Sequence, residues 1–363
     1  MDTAFAKVLN CSSKKLTAIP DKSVDLIVTS PPYPMVEMWD ECFAMQSEDV
    51  QKSFAARDWH SAYEGMHTVL NNVWSECNRV LKDNGFVCIN IGDATRTFDD
   101  TFRLFSNHSS IIGYFESMGY CTLPDIHWRK QTNAPNKFMG SGMYPAGAYV
   151  TYEHEYILIF RKGGKRIFKG SEAEQRRKSA YFWEERNVWF SDLWEIKGVQ
   201  QTLRSAKTRE RSAAFPVSIP YRLVNMYSAY GDTVLDPFGG LGTTAAVCAA
   251  LNRNCYIADI DPEMCKKIRE AILDAKTLSS DLVNLRIEQH LDYILSLSQD
   301  KLSKCYTNTP HGFPVKTRQE TEMLLYKIKK ITEITDFEFR IEHQIAEYQS
   351  SISMLKSPLA LTE

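Results

Sequence analysis

The sequence predicts an α/β fold, a mostly parallel sheet with helices on both faces, and three observations carry that prediction. Short β-branched runs alternate with longer segments of helical apolar spacing. A glycine-rich turn joins one such run to the helix after it, and the next run ends in an acid, Asp259, 23 residues beyond the acid Asp236 that opens the turn. With 363 residues the chain has room for one large α/β domain with additions, or for two ordinary domains.

Lys7-Val8-Leu9 is the first strand candidate, Ser12 to Ile19 reads as a short helix or turn, and Val24 to Val28 is a β-branched run stopped by Thr29-Ser30-Pro31-Pro32-Tyr33. From His60 to Leu81 apolar residues recur at helical spacing, and Asn84-Gly85 supplies the left-handed cap expected after such a helix. Phe86 to Ile91 reads as a buried strand. A helix (Ser109 to Met118) and two strands (Tyr120 to Trp128, Glu155 to Phe160) follow. After Val217 come a helix to Ala229, a strand at Thr233-Val234-Leu235, the glycine turn, a helix from Thr243 to Leu251, a strand from Cys255 to Ile260 and a helix from Pro262 to Ala275. Beyond Lys276 the pattern is helical and polar. There Phe337, Ile341, Ile345, Tyr348, Ile352 and Leu355 form a stripe that predicts a packed accessory helix, or a helix for self-association.

Composition excludes several classes. At 44% hydrophobic and 24% charged residues the chain is globular, and no apolar run approaches the roughly 20 residues of a membrane span. The start of the chain lacks a signal-peptide apolar region, so a soluble, cytoplasmic protein is expected. Nine cysteines without a C-x-x-C pair resemble neither a disulfide framework nor a zinc ribbon, and the eight histidines show no ligand spacing, so no metal site is expected. Net charge is −2, but it is unevenly spread: Arg161 to Arg211 carries 14 Lys and Arg against 7 Asp and Glu, among seven Tyr, Phe and Trp residues. Such a mixture suits phosphates and bases, or else a solvated basic loop over a small aromatic core.

Two motifs carry chemistry. In Asp236-Pro237-Phe238-Gly239-Gly240-Leu241-Gly242-Thr243-Thr244 the glycines let backbone approach a ligand closely, and the helix N-terminus offers unpaired N–H groups, which together make a nucleoside cradle. No Gly-Lys-Ser/Thr follows, so this is not a phosphate-binding P-loop. Its leading acid suits a cationic cofactor better than a pyrophosphate; the plainer alternative is an ordinary strand-to-helix connection. In the other motif, Ser30 offers a hydroxyl, Pro31 a carbonyl that the following proline cannot tie up, and Tyr33 an aromatic face. Those groups could accept both hydrogens of an exocyclic amine while the ring stacks on the base. The alternative is a proline-rich strand exit with a buried tyrosine.

Together the two motifs resemble the catalytic and S-adenosylmethionine motifs of DNA amino-methyltransferases, in the order of the circularly permuted beta class of restriction-modification systems. Asn84 to Asp93, Tyr152 to Lys162, Ser191 to Ile196 and Ala214 to Leu223 extend the resemblance to about residues 6–275. It implies a Rossmann-like S-adenosylmethionine-dependent methyltransferase fold. Its catalytic half would lie in 1–160, a target-recognition region in 161–211, a cofactor half in 212–275 and a mainly helical extension in 276–363. By the same resemblance Ser30, Pro31, Pro32 and Tyr33 are catalytic. Asp236, Phe238, Gly239, Gly240, Gly242 and Thr243 surround the cofactor, Asp259 holds its ribose, and Phe215 and Pro216 lie near its methionine end. Asn10-Cys11 stands where relatives commonly have Gly-Asp.

Arg176, Arg177, Lys178, Arg204 and Lys207 are the candidate DNA contacts. The implied partners are double-stranded DNA, a cognate restriction endonuclease and a second copy of the chain. Relatives with Ser-Pro-Pro-Tyr usually modify cytosine N4 and those with Asp-Pro-Pro-Tyr adenine N6, so cytosine is the expected base, with adenine the alternative. Cytosine C5 chemistry is disfavoured, because none of the cysteines follows a proline. The target base would have to flip out, with the Tyr33 ring, rather than its hydroxyl, replacing the lost stacking. A non-catalytic nucleic-acid-binding subunit and an RNA or protein methyltransferase are the competing readings.

Overall fold

A single ten-stranded sheet organises the chain, whose computed structural model describes residues 3–130, 139–140, 143–198 and 215–347. In chain order its strands are β1 (Thr3–Asn10), β2 (Val24–Thr29), β3 (Leu81–Ile91), β4 (Tyr120–Arg129), β5 (His154–Lys162), β6 (Leu193–Glu195), β7 (Thr233–Asp236), β8 (Asn254–Asp259), β9 (Tyr326–Thr335) and β10 (Glu338–Ile345). Across the sheet they run β6-β4-β5-β3-β2-β7-β8-β1-β10-β9. The five strands from β3 to β1 are mutually parallel. β5 runs antiparallel to both its neighbours, β6 pairs parallel with β4 at one edge, and the β9–β10 hairpin joins β1 antiparallel at the other.

Alternation along the central strands explains the two helical layers. On β2, Leu26 and Val28 face one core and Ile27 the other, so the run is apolar on both faces as buried parallel strands are. Helices α1 (Trp59–Val80) and α2 (Asn107–Ser117) cover the Ile27 side, burying Met66, Leu70, Trp74, Ile111 and Phe115. Two short helices, α3 (Gly170–Lys178) and α4 (Trp183–Trp189), lie in the basic stretch. On the Leu26 side pack α5 (Ser218–Tyr227), α6 (Thr243–Ala250) and the first half of α7 (Pro262–Leu295).

Of the two readings of Ser12 to Ile19, the turn is the one present. Two other sequence expectations are corrected. Asn84 does adopt a left-handed φ of 71°, but it lies inside β3 rather than capping α1, which ends at Val80 where the strand begins. The predicted accessory helix is a strand over its described part. Along β10 Phe339, Ile341 and His343 are buried while Arg340, between two of them, is exposed, a period of two that the intervening histidine disguises. Tyr348, Ile352 and Leu355 lie outside the described residues. Among the described residues after Ala275, α-helix runs to Leu295 and, in a short turn, over Gln299–Leu302.

The second half of α7 builds a separate small core with Phe182, Phe313, Val315, Met323 and Leu325, fastening the C-terminal extension to the basic stretch. At its centre Arg286 grips Glu185 through Nε at 2.5 Å and Nη2 at 2.7 Å, with both side chains nearly inaccessible. Removing one partner of such a pair strands the other charge. Arg286→Leu should therefore cost about 3–5 kcal/mol in urea unfolding, and pairing it with Glu185→Leu should restore most of the loss.

Candidate active site at the C-terminal rim of the sheet

Strands β2 and β7 are parallel neighbours, with Leu26 beside Val234 and Ile27 beside Leu235, so the residues leaving their C-terminal ends emerge side by side. Ser30, Pro31, Pro32 and Tyr33 leave β2, and the turn to Gly242 leaves β7. Thr29 Oγ1 donates a 2.6 Å hydrogen bond to Asp236 Oδ1, and the Phe238 backbone N–H donates to the same oxygen at 3.0 Å. Asp236 is 2% exposed, and burial pushes its carboxyl up to about 6, against the opposing effect of the Thr29 bond.

The glycines serve packing as much as approach. A Cβ on Gly239 would sit 2.5 Å from Ile257 Cγ2 and 2.7 Å from Ile268 Cδ1. Gly242 combines a φ of +79° with a position where a Cβ would meet the Ile268 backbone at 2.8 Å. These two therefore let α7 lie against the turn. Gly240 donates its N–H to Asp259 Oδ2 at 2.9 Å, and Asp261 donates its own to Oδ1 at 2.9 Å, so Asp259 braces the turn from the end of β8. Burial raises its carboxyl too.

A cavity of about 530 Å³ opens on this rim. Ser30, Pro31, Pro32, Phe215, Asp236, Phe238, Gly239, Gly240, Thr243 and Asp259 all line it, which brings both motifs to one space. Gly242, Pro216 and Tyr33 are not on its wall. Sequence reasoning missed Ser12 and Ser13, whose turn is tied to the glycine turn by Ser13 Oγ donating to the Pro237 carbonyl at 2.6 Å. It also missed Met38, Trp39, Glu41, Cys42, Met45 and Gln46, which cover the cavity from a segment with no spacing signal beyond lying just after the proline motif. Asn10 takes no place on the wall. Its Nδ2 donates to the Asp259 and Ile260 carbonyls, so it supports the acid instead.

Tyr33 is held on both its ring and its hydroxyl. It is 7% exposed, its ring lies against Gly92, where a Cβ would come 3.0 Å from Cε2, and its hydroxyl is engaged. That hydroxyl donates to Glu155 Oε2 at 2.9 Å, accepts from Asn90 Nδ2 at 2.8 Å and lies 3.1 Å from Ser30 Oγ. Lys130 pairs with the other oxygen of Glu155.

The basic cluster also lies elsewhere. Arg166 binds Asp232 at 2.7 Å and reaches Asp25 at 3.4 Å, both at the N-terminal ends of their strands. α3 follows on that same side, its end fixed by Ser179 Oγ accepting from the Tyr230 N–H and by the Lys178 carbonyl accepting from the Leu324 N–H. Arg177 pairs with Glu322, Lys178 with Glu174, and Arg176 stacks over Phe168. A six-residue strand spans about 20 Å. Arg176, Arg177 and Lys178, the candidate DNA contacts, are thus at the far rim from the cavity, each with a partner. Arg204 and Lys207 lie outside the described residues.

With this geometry in hand, comparison with known proteins is decisive. The sequence model of a family described as DNA methylase matches residues 24–270, more than half of the chain. The chain belongs to that DNA methylase family. Among relatives, the methylase is 46% identical to the Type II methyltransferase M.MthZI of Methanothermobacter thermautotrophicus over 336 residues, 92% of this chain and 93% of that one. It is 48% identical to the Type II methyltransferase M.MjaI of Methanocaldococcus jannaschii over 281 residues, 74% of this chain and 92% of that one. Among solved structures, TTHA0409 of Thermus thermophilus, complexed with S-adenosyl-L-methionine, superposes with a TM-score of 0.58 at 28% identity, covering 74% of the methylase and 94% of itself. PvuII DNA methyltransferase (cytosine-N4-specific), with a TM-score of 0.51 at 17% identity over 75% of this chain and 88% of its own, shares the fold. Together they establish the expected Rossmann-like methyltransferase architecture.

The methylase's described cavity wall fits a cationic cofactor: Glu41, Asp236, Asp259 and Asp261 are on it, and no Lys, Arg or His is. The cost of burying Asp236 shows in stability. A carboxyl raised from 3.8 to about 6 keeps its proton in the folded state where the unfolded chain has lost it, so its contribution falls as pH rises from 4 to 6 and the full penalty stands above 6. Two units correspond to about 2–3 kcal/mol. Urea unfolding of wild type and Asp236→Asn at pH 4 and pH 7 should show the variant gaining on wild type by that order.

Proposed function

We propose that this chain is a Type II DNA methyltransferase that moves the methyl group of S-adenosylmethionine to the exocyclic amine of a base flipped out of duplex DNA, with cytosine N4 the acceptor. The observation that carries the reading is that Ser30 and Pro31 share one cavity with Phe238, Gly239, Gly240 and Asp259, so an amine-accepting pair and a nucleoside cradle face the same space. The family, the Type II relatives and the cofactor bound by TTHA0409 support it. Serine at the head of the proline motif supports cytosine.

S-adenosylmethionine supplies an electrophilic methyl on a sulfonium. The protein's part is to hold the amine in line with it. An exocyclic nitrogen gives its lone pair to the ring and is a weak nucleophile; accepting its two hydrogens on Ser30 Oγ and the Pro31 carbonyl favours a more tetrahedral nitrogen whose lone pair is available. Serine is no base near neutral pH, and none is needed before transfer, because the methylated amine sheds its proton readily afterwards. Asp259, already holding the turn, keeps lone pairs for the ribose hydroxyls. Asp236 and the other wall acids face the positive charge.

Three measurements test this. Mass spectrometry of digested DNA after reaction should find N4-methylcytosine; N6-methyladenine would reassign the base and leave the site intact. Ser30→Ala should lower kcat while leaving cofactor affinity within about twofold, because the lost contact is made most strongly as the nitrogen pyramidalises. Calorimetry of the cofactor should show affinity falling from pH 7.5 to 5.5 as Asp236 takes up its proton near 6, with Asp236→Asn flattening the profile. Unchanged pH dependence in that variant would remove Asp236 from the charge recognition.

A further inference from the structure

We infer that Glu155, together with Asn90, is a positioning residue that fixes the direction of the Ser30 hydroxyl; the inference rests on the amine-transfer reading above. Hydrogens can be counted along the chain of contacts. In the 2.9 Å contact between Tyr33 and Glu155 Oε2 the phenol is the donor. Asn90 Nδ2 donates to the Tyr33 oxygen at 2.8 Å and to Glu155 Oε2 at 2.7 Å. The only hydrogen on the Tyr33 oxygen is then spent. Its 3.1 Å contact with Ser30 must therefore take the hydrogen of Ser30.

That polarity is what an amine acceptor needs. A serine hydroxyl otherwise rotates, and with its hydrogen turned into the cavity it would oppose the amine hydrogens. Directed at Tyr33, the hydroxyl presents lone pairs to the cavity it lines. The placement is built into the sheet. Asn90 comes from β3 and Glu155 from β5, the strands next outward from β2, and Lys130 at the end of β4 sets a cation on the far side of the carboxylate. The arrangement also gives the tyrosine hydroxyl a task that a stacking ring alone would not require. A glutamine at 155 keeps the shape but carries an NH₂ that can donate to Tyr33, freeing the phenol hydrogen to point at Ser30 and reversing the chain.

The test is single-turnover transfer of tritiated methyl to duplex DNA at saturating S-adenosylmethionine, for wild type, Glu155→Gln, Tyr33→Phe and the double variant, with cofactor affinity by calorimetry and Tm for each. Each single variant should slow transfer by about 10- to 100-fold with cofactor affinity unchanged. The double should be no slower than the slower single, since without the phenol there is nothing for residue 155 to orient. Full-rate transfer by Glu155→Gln, or losses that multiply in the double, overturns the inference. If Glu155→Gln does not fold, Tyr33→Phe decides alone, and wild-type speed there overturns it equally. A wild type that methylates no exocyclic amine fails differently: it sinks the amine-transfer reading, whereas an active wild type with full-rate variants sinks only the role of Glu155.

Discussion

Everything at the cavity depends on the parallel pairing of two four-to-six-residue strands, β2 and β7, and on the bond that locks their ends, Thr29 to Asp236. Residues 207 positions apart in sequence become adjacent through it. The lock is an ionisable group in a dry place, which is expensive. Its carboxyl is raised to about 6 by that burial, and the hydrogen bonds from Thr29 and the Phe238 N–H offset only part of the cost. A positive ligand alongside would offset more. The same acid thus joins the two halves and gives the apo protein a deficit that a cation relieves, an arrangement in which stability and binding are linked.

Around that lock the glycine turn is held from behind. Gly239 and Gly242 admit α7 because neither position has room for a Cβ, and Asp259 fixes the turn through the Gly240 N–H. Helix α7, 34 residues long, runs on to Leu295, far past the glycine turn, and its second half carries Arg286 into the small core shared with Phe182. One helix consequently touches both the glycine turn and the segment expected to recognise the target. The basic stretch is anchored by this contact as well as by the ion pairs of Arg166.

How much of this was legible in the sequence follows from what kind of signal each part leaves. β2, β7 and β8 were readable because a strand buried on both faces is a continuous apolar run, and the turn because glycine is the only residue that fits. β10 was not, since a buried His343 hydrogen-bonded to the Ala249 carbonyl reads as polar and breaks the alternation. Cations were counted correctly in 161–211, but composition carries no address: Arg166 is drawn to Asp25 and Asp232 at the N-terminal ends of the strands, taking α3 with it. Tyr33 was identified as part of the site and assigned to its ring, because nothing local announces that Asn90 and Glu155, 57 and 122 residues away, converge on its hydroxyl.

Charge and geometry carry different parts of the proposed reaction. A wall of Asp236, Asp259, Asp261 and Glu41 attracts a cation, but methyl transfer discharges the sulfonium, so the attraction weakens as the reaction proceeds. An interaction stronger in the ground state than in the transition state tightens binding and helps release the neutral product; it does not raise kcat. In the proposed reaction, rate would come from Ser30 and the Pro31 carbonyl, on the same rim, which would meet an amine whose hydrogens become more acidic as positive charge reaches the nitrogen. Those acceptors gain strength along the reaction while the acids lose it. On that reading the acids of this wall serve the cofactor, and Ser30 offers the amine a neutral oxygen. With serine there, the direction of one hydroxyl becomes the variable that matters, and Glu155 stands one residue removed from it, behind Tyr33.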